Sequence, residues 1–315
     1  MFENLKIAGR AIRTVFTADP ITRVRRFYEI QSPDVEFAAR RTHYMNVGYW
    51  SDGVTDIDTA ADALADKLAD AAGLKPDDTV LDVGFGYGDQ DFKWLRERQV
   101  AKVYGLNITP HHVEAAQRRA QEEGLADRTD FRLGSATELP FEDNTFDRVV
   151  ALESAFHFYP RSAFFAEALR VLRPGGVLAT ADIIPVSGDV VRAAIQSGPL
   201  SFVKFSIPKE NWHDRDTYRQ ELVEAGFANP EVRSIKDRTW EGWRAYMAER
   251  TNDPAFRAVV KPAVRKSMAA HWKNQDLMKR ELAQLDYVIA VGQFSLGMLN
   301  LTKLSGPDWM AARTT

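Results

Sequence analysis

The chain has no cysteine. Structural disulfides and thiolate-bound metals are therefore excluded, and a reducing, cytoplasmic setting is expected. No run of about 18 apolar residues occurs, which argues against a transmembrane helix. The start, Met1-Phe2-Glu3-Asn4, lacks the basic-then-apolar pattern of a secretory signal. Neither sign of charge dominates: 41 Lys and Arg stand against 44 Asp and Glu, a net charge of −3, which argues against nucleic acid as the main partner. Internal repeats and low-complexity segments are absent. No compact Asp/His cluster predicts a metal; His111-His112 sits at a polar helix start, where capping and solvent suffice. What is left is an ordinary globular composition, 45% hydrophobic and 27% charged over 315 residues. That length makes one large domain, or one domain with a substantial cap.

The most informative stretch is Val80-Leu-Asp-Val-Gly-Phe-Gly-Tyr-Gly88. An apolar β-type run, Thr79–Val83, carries one acid, Asp82, and then breaks into Gly84, Gly86 and Gly88. Such a pattern predicts a buried strand ending in a tight turn where a ligand nears the backbone. Glycine has no Cβ, so it accepts positive φ and leaves room for that ligand. Asp89 stands where a dinucleotide-binding turn has its third glycine, and the Gly-Lys-Ser/Thr of a phosphate-binding loop is missing. An acid two residues before the first glycine suits a cationic ligand better than a pyrophosphate.

Residues 51–183 alternate helical and strand patterns. A helix is expected at Ile57–Leu74, with Gly73 near its end. Strands are expected at Thr79–Val83, Lys102–Leu106, Thr129–Leu133, Arg148–Leu152 and Val177–Ile183. Helices fall between them at Gln90–Arg98, Pro110–Glu123 and Arg161–Leu172, the last stopped by Pro174-Gly175-Gly176. This order predicts βαβ units, a parallel sheet, and a ligand at the carboxyl ends of its strands. Beyond it come an irregular helical cap, a helix at Arg215–Ala225 and a strand at Glu231–Ile235. A Trp-rich helical insertion spans Trp240–Leu285, and a last strand Asp286–Val291. Residues 1–28 have an apolar stripe (Phe2, Leu5, Ala8, Ile12, Val15, Phe16) and basic residues opposite, a helix that packs on its own protein or a second subunit, or touches a membrane surface or greasy substrate.

Asp82-Val-Gly84-Phe-Gly86-Tyr-Gly88 resembles motif I of the class I S-adenosylmethionine-dependent methyltransferases. The resemblance covers roughly residues 42–291. It implies an α/β, Rossmann-like sheet of seven mostly parallel strands, the last one antiparallel, with helices on both faces, N-terminal helices and a helical cap. It also implies four segments: 1–50 covering the cofactor, 51–184 binding it, 185–285 forming the acceptor side, and 286–315 supplying the last strand and tail. In that family the glycine turn faces the methionine part of the cofactor and the acid helps to hold its amino group. Asn107 and Ile108 fall at the ribose position, where many members have an acid; ordinary turn chemistry is the plainer role of Asn107. Ser135 and Ala136 fall in the adenine-binding loop, with Ser135 where an Asp is usual.

Glu153-Ser-Ala-Phe-His157-Phe158 resembles the Glu-x-x-x-His stretch of sterol C-methyltransferases and small-molecule O-methyltransferases. It implies His157 and Glu153 as groups that take a proton from the acceptor, His157 being the better suited with an unperturbed pKa of about 6.5. A histidine that only packs and hydrogen-bonds is the plainer alternative. Arg41–Trp50 resembles the Gly-Tyr-Trp segment of the tocopherol, sterol and macrolide branch, which folds over the cofactor. Tyr49 and Trp50 would then attract the sulfonium, or would simply anchor a helix. Tyr44, Phe158, Phe202, Phe205 and Trp212 are the expected acceptor-pocket residues. Together these imply methyl transfer to oxygen or carbon of a lipophilic small molecule, a terpenoid, polyketide or other lipid-like metabolite of specialised metabolism. Peripheral membrane contact and a homo-oligomer through the N-terminal helix stay open. The alternative is the same fold used as a cyclase or non-transferring cofactor-binding protein. A nicotinamide oxidoreductase fits the glycine spacing less well, and a nucleic-acid methyltransferase lacks its Pro-Pro-Tyr motif after the fourth strand.

Overall fold

The computed structural model describes residues 17, 19–30, 39–187, 207–259 and 272–295. The apolar stripe of residues 2–16 lies outside them, as do Phe202, Phe205 and the chain after residue 295. Overlapping the end of the helix expected over residues 1–28, α1 runs Pro20–Ile30. It is followed by α2 (Ile57–Ala72), β1 (Thr79–Val83), α3 (Asp89–Lys93), β2 (Lys102–Asn107), α4 (Pro110–Glu122), β3 (Thr129–Leu133) and β4 (Phe146–Leu152). Then come α5 (Arg161–Val171), β5 (Leu172–Pro185), α6 (Arg215–Ala225), β6 (Ala228–Ser234), α7 (Trp240–Arg250), α8 (Pro254–Val259), α9 (Gln275–Leu282) and β7 (Leu285–Gln293). The strands form one seven-stranded sheet in the order β3-β2-β1-β4-β5-β7-β6. Neighbours from β3 to β5 are parallel, and β7 lies antiparallel between β5 and β6.

Local sequence explains the elements next to the site. Asp56 caps α2 by accepting the Thr59 N–H, and alanines and leucines along one side are fully buried. Gly73 ends the helix at φ +61, its N–H bonded to the Ala69 and Asp70 carbonyls. Side chains of β1 alternate between the two faces of the sheet. Val80 joins the core under α2, with Val150, Ala179 and Tyr287. Leu81 and Val83 join the core under α5 and α6, with Val149, Leu178 and Val288. The connection runs outward one way from β1 to β2 and the other way to β4, so the crevice at the carboxyl ends of β1 and β4 is the topological switch point.

Two expectations change. The helix expected through Arg98 is α3 followed by a π-helical turn, Trp94–Arg98. The Pro174-Gly175-Gly176 step does not separate α5 from a strand at Val177; β5 already begins at Leu172, with a register shift against Phe146/Arg148. The sixth and last strands lie in the same sheet as the first five, as the expected seven-stranded sheet requires.

Residues 240–250 close over the segment that enters α2. Gly242 of α7 lies against the Trp50 ring: a Cβ there would stand 2.1 Å from Trp50 Cγ. Alanine would gain up to about 1 kcal/mol of helix propensity but must displace a buried indole. Gly242→Ala is expected to lose about 1–3 kcal/mol net, read as a lower denaturation midpoint; equal or greater stability would show that Trp50 yields freely.

Candidate active site

The turn after β1 is shaped by its neighbours. Gly84, Gly86 and Gly88 have φ of +85, +59 and +81. At Gly84 a Cβ would stand 2.4 Å from Ser154 Cβ, just beyond β4, and Ser154 Oγ donates to the Val83 carbonyl at 2.6 Å. The ends of β1 and β4 are thus locked side by side. At Gly86 a Cβ would meet only Met45 Sδ, at 3.8 Å, so the space above this glycine is open. Asp82, fully buried, accepts from Gln90 Nε2 at 2.8 Å through Oδ2, while Oδ1 has no hydrogen-bond donor. An orphaned buried carboxylate oxygen beside an open, glycine-lined cradle fits a ligand that carries an ammonium group.

His157 lies in a short 3-10 turn, Ala155–His157, after β4. Three groups pin this turn. The Phe156 N–H donates to Asp182 Oδ1 at 2.9 Å, Asn211 Nδ2 donates to the Phe156 carbonyl at 3.1 Å, and the His157 N–H donates to the Ser154 carbonyl at 3.0 Å. Asp182 is fully buried, and burial lifts its carboxyl to about 7 against the opposing charge of Arg161. Tyr28 from α1 meets the imidazole, with Oη 2.8 Å from His157 Nε2 and the rings edge-to-face at 5.5 Å. Burial, reinforced by the charge of Glu153, pushes the Tyr28 phenol up, so it stays protonated. A row of rings links this pair to the glycine turn: Tyr28 to His112 at 5.8 Å and His112 to Tyr87 at 4.4 Å. Phe158 Cζ lies 3.6 Å from where a Gly84 Cβ would stand, which places this expected pocket residue at the same crevice.

Glu153 and the covering segment form a clasp. Glu153 takes a left-handed φ of +49, and its Oε1 accepts from the Val47 N–H and from Tyr287 Oη, both at 2.7 Å. Burial raises its carboxyl to about 7 against both bonds. The residues of the segment nearest the turn are Met45, beside Gly86, and His43, whose ring lies 5.7 Å from Tyr87. The rings expected there point elsewhere. Trp50 is buried against Gly242 and Tyr246, with Nε1 donating to the Val47 carbonyl, and Tyr49 lies under Lys67 Nζ at 5.2 Å. Tyr44 donates to Asp62 Oδ1 at 3.1 Å on α2, and Trp212 donates to the Ile207 carbonyl at 3.0 Å.

At the end of β2, Asn107 Oδ1 accepts the Thr109 N–H at 3.0 Å, the turn chemistry expected of it, and Nδ2 lies 3.5 Å from His112 Nδ1. His112 is buried with Nε2 unbonded; burial lowers its pKa to about 3 and keeps the ring neutral. Ile108 is half-buried, as is Ser135, whose Oγ is 3.0 Å from Thr137 Oγ1; Ala136 beside it is buried. Sequence reasoning missed Tyr28, Asp182 and Asn211: each meets the His157 turn from a distant part of the chain, and no local pattern announces that. Among the described residues no three His, Asp or Glu side chains group as ligands of one metal ion. No described helix is long and apolar enough to cross a membrane.

Residues 81–180 match the family described as a methyltransferase domain. The chain is 44% identical over 278 residues to the erythromycin 3''-O-methyltransferase of Saccharopolyspora erythraea, covering 86% of this chain and 90% of that one. The crystal structure of the [4+2]-cyclase SpnF superposes with a TM-score of 0.72 at 26% identity, over 89% of this chain and 98% of that one. The geranyl diphosphate C-methyltransferase of Streptomyces coelicolor A3(2), solved with S-adenosyl-L-homocysteine, shares the fold at TM-score 0.62 and 17% identity, over 88% and 99%. The glycine cradle, the sheet order and the 44% identity over most of both chains lead to one conclusion: the chain belongs to the S-adenosylmethionine-dependent methyltransferases.

Proposed function

We propose that this methyltransferase methylates a hydroxyl oxygen of a macrolide-like natural product, with His157 accepting the hydroxyl proton and Tyr28 holding the imidazole. The observation that carries the reading is the 2.8 Å contact between Tyr28 Oη and His157 Nε2 at the switch-point crevice. A carbon acceptor such as an alkene brings no proton to remove before attack, whereas a hydroxyl does, and an imidazole is suited to take it. The name of the 44% identical relative supports oxygen as the acceptor atom.

Asp82 and the turn at Gly84, Gly86 and Gly88 would hold the methionine end of the cofactor, Asn107 and Ile108 its ribose, and Ser135 and Ala136 its adenine. The bound cofactor supplies an electrophilic methyl on a sulfonium. The chain's own work is placement, worth up to about 7–11 kcal/mol when donor and acceptor are held in line. The 3-10 turn fixes His157, Phe158 flanks the crevice, and the Glu153–Val47 clasp keeps the covering segment closed. As the new C–O bond forms, the hydroxyl proton passes to His157 and from there to solvent. A second reading, a cyclase, is favoured by the likeness to SpnF.

The test is incubation with methyl-labelled S-adenosylmethionine and macrolides that carry a free sugar hydroxyl. Gain of one labelled methyl on oxygen, with matching S-adenosylhomocysteine, is expected. Labelled carbon would overturn the oxygen assignment. An acceptor isomerised without change of mass, the cofactor intact, would install the cyclase.

A further inference from the structure

Two carboxyls, not one, lie under the glycine turn. Asp91, in the first turn of α3, is fully buried, and neither of its oxygens has a hydrogen-bond donor from an N–H or hydroxyl. Its Oδ2 is 3.5 Å from the point a Gly88 Cβ would occupy, which puts the carboxyl directly beneath the turn. It faces Asp82, whose Oδ1 is likewise without a donor. Two bare carboxylates in contact inside a protein repel strongly, and removing one charge by protonation is the cheapest relief.

Other charged groups nearby relieve it only in part. Asp89 adds a third negative charge, and Arg119 of α4, whose charge opposes it, is shared with Asp89 at 3.1 Å and Glu123 at 2.6 Å. Lys93 on the same helix as Asp91 is turned to Asp62 and Glu97, at 2.8 and 2.6 Å. From the covering segment, the Tyr44 hydroxyl is committed to Asp62. Burial, and for Asp91 the charge of Asp82, raises both carboxyls above the ordinary range.

We propose that Asp82 and Asp91 form a two-carboxyl seat that shares one proton in the free enzyme and gives it up to solvent when the cofactor's ammonium arrives. The exchange balances: the pair goes from one negative charge to two as one positive charge docks beside it. This rests on the reading that the glycine turn holds the methionine end. Asp91 is then a second cofactor-positioning carboxyl, and cofactor binding is proton-linked.

The probe is S-adenosylhomocysteine, which keeps the ammonium but has no methyl to transfer. It is titrated calorimetrically into the full-length protein from pH 5.5 to 8 in buffers of different ionisation enthalpy. The wild type is expected to release close to one proton per ligand at the acid end, its affinity rising about tenfold per pH unit until the pair has ionised. Asp91→Asn is expected to remove that release and flatten the affinity. Equal release by wild type and Asp91→Asn would overturn the proposal, since the proton would then come from elsewhere; so would a wild type that releases none, a result that needs no variant. Gly86→Val separates the two readings: if it binds like the wild type, the turn is not the seat at all, whereas lost binding with unchanged proton release in Asp91→Asn sinks only the role of Asp91. Melting of the free protein gives an independent readout. The raised carboxyls stabilise the fold fully only below their ordinary value of 3.8 and lose that contribution as pH rises through their folded values. Asp91→Asn should therefore melt higher than wild type at pH 8, and a lower melting point there would count against a strained pair.

Discussion

Gly86→Val is expected to weaken cofactor binding at least about 100-fold, the equivalent of roughly 2.7 kcal/mol, while the protein stays folded. A Cβ at this position meets nothing of the protein except Met45 Sδ at 3.8 Å. The valine methyls would therefore extend into the cradle itself. The backbone there is held at φ +59, which for a β-branched side chain adds strain of about 1–3 kcal/mol. The strain acts on stability and the filled volume on affinity, so melting and calorimetry separate them. Gly86→Ala should show the smaller loss. Gly84→Ala is the contrasting case: its Cβ would strike Ser154 at 2.4 Å and part the ends of β1 and β4, so stability should suffer first. A folded Gly86→Val that binds S-adenosylmethionine like the wild type would remove the cofactor from this turn.

His157→Ala is expected to lower kcat by about 10²–10⁴-fold, the range for loss of a positioned general base, and to leave cofactor affinity within about twofold. The split follows from geometry: His157 sits on the 3-10 turn after β4 and meets Tyr28, whereas the cofactor's methionine end is assigned to the glycine turn after β1. Tyr28→Phe keeps the ring that faces the imidazole but deletes the 2.8 Å contact. A loss of about tenfold is expected, from one hydrogen bond worth roughly 1 kcal/mol or slightly more. At saturating cofactor the wild-type kcat should fall towards acid pH, where an imidazole carries its proton, and that fall in kcat should vanish with His157→Ala. Full activity in His157→Ala would reduce this histidine to packing and take the proton-accepting role with it.

Why were some of these features readable in the sequence and others not? Strands β1 to β4 lie where their apolar runs and stop signals put them, because a strand between two helices shows both its burial and its ends locally. β5 begins five residues before Val177 because Pro174-Gly175-Gly176 forms an irregular stretch within pairing distance of β4; the same letters signal a helix stop, and only the neighbouring strand decides. The π turn at Trp94–Arg98 uses good helix formers, whose spacing does not distinguish one hydrogen-bond pattern from the other. The glycine cradle and His157 could be read because short motifs carry them. The partner of His157 could not, since Tyr28 lies 129 residues away and nothing near it marks it. Asp91 misleads for a different reason: an acid in the first turn of a helix reads as a favourable neighbour of the helix dipole, and its burial against Asp82 appears only in three dimensions. Trp50 shows the converse failure. An aromatic in a segment that covers the cofactor looks like a cofactor contact, but Gly242 leaves a hollow that takes the ring into the core.

The placement of β7 between β5 and β6 dictates the order in which a growing chain can finish itself. β6 emerges from the ribosome first, yet among the described strands it pairs with β7. Until Leu285–Gln293 has been made, β6 has no described strand to join and β5 lacks its partner on that side, the kind of open edge that recruits other chains. Tyr287 is also the hydroxyl that completes the Glu153 clasp on Val47. The same late strand therefore seals the sheet and adds the last hydroxyl to the clasp, while the cover's other ties, the Arg41 and Thr42 N–H groups on Asp58 and the Tyr49 N–H on the Ala60 carbonyl, belong to α2 and need no late strand.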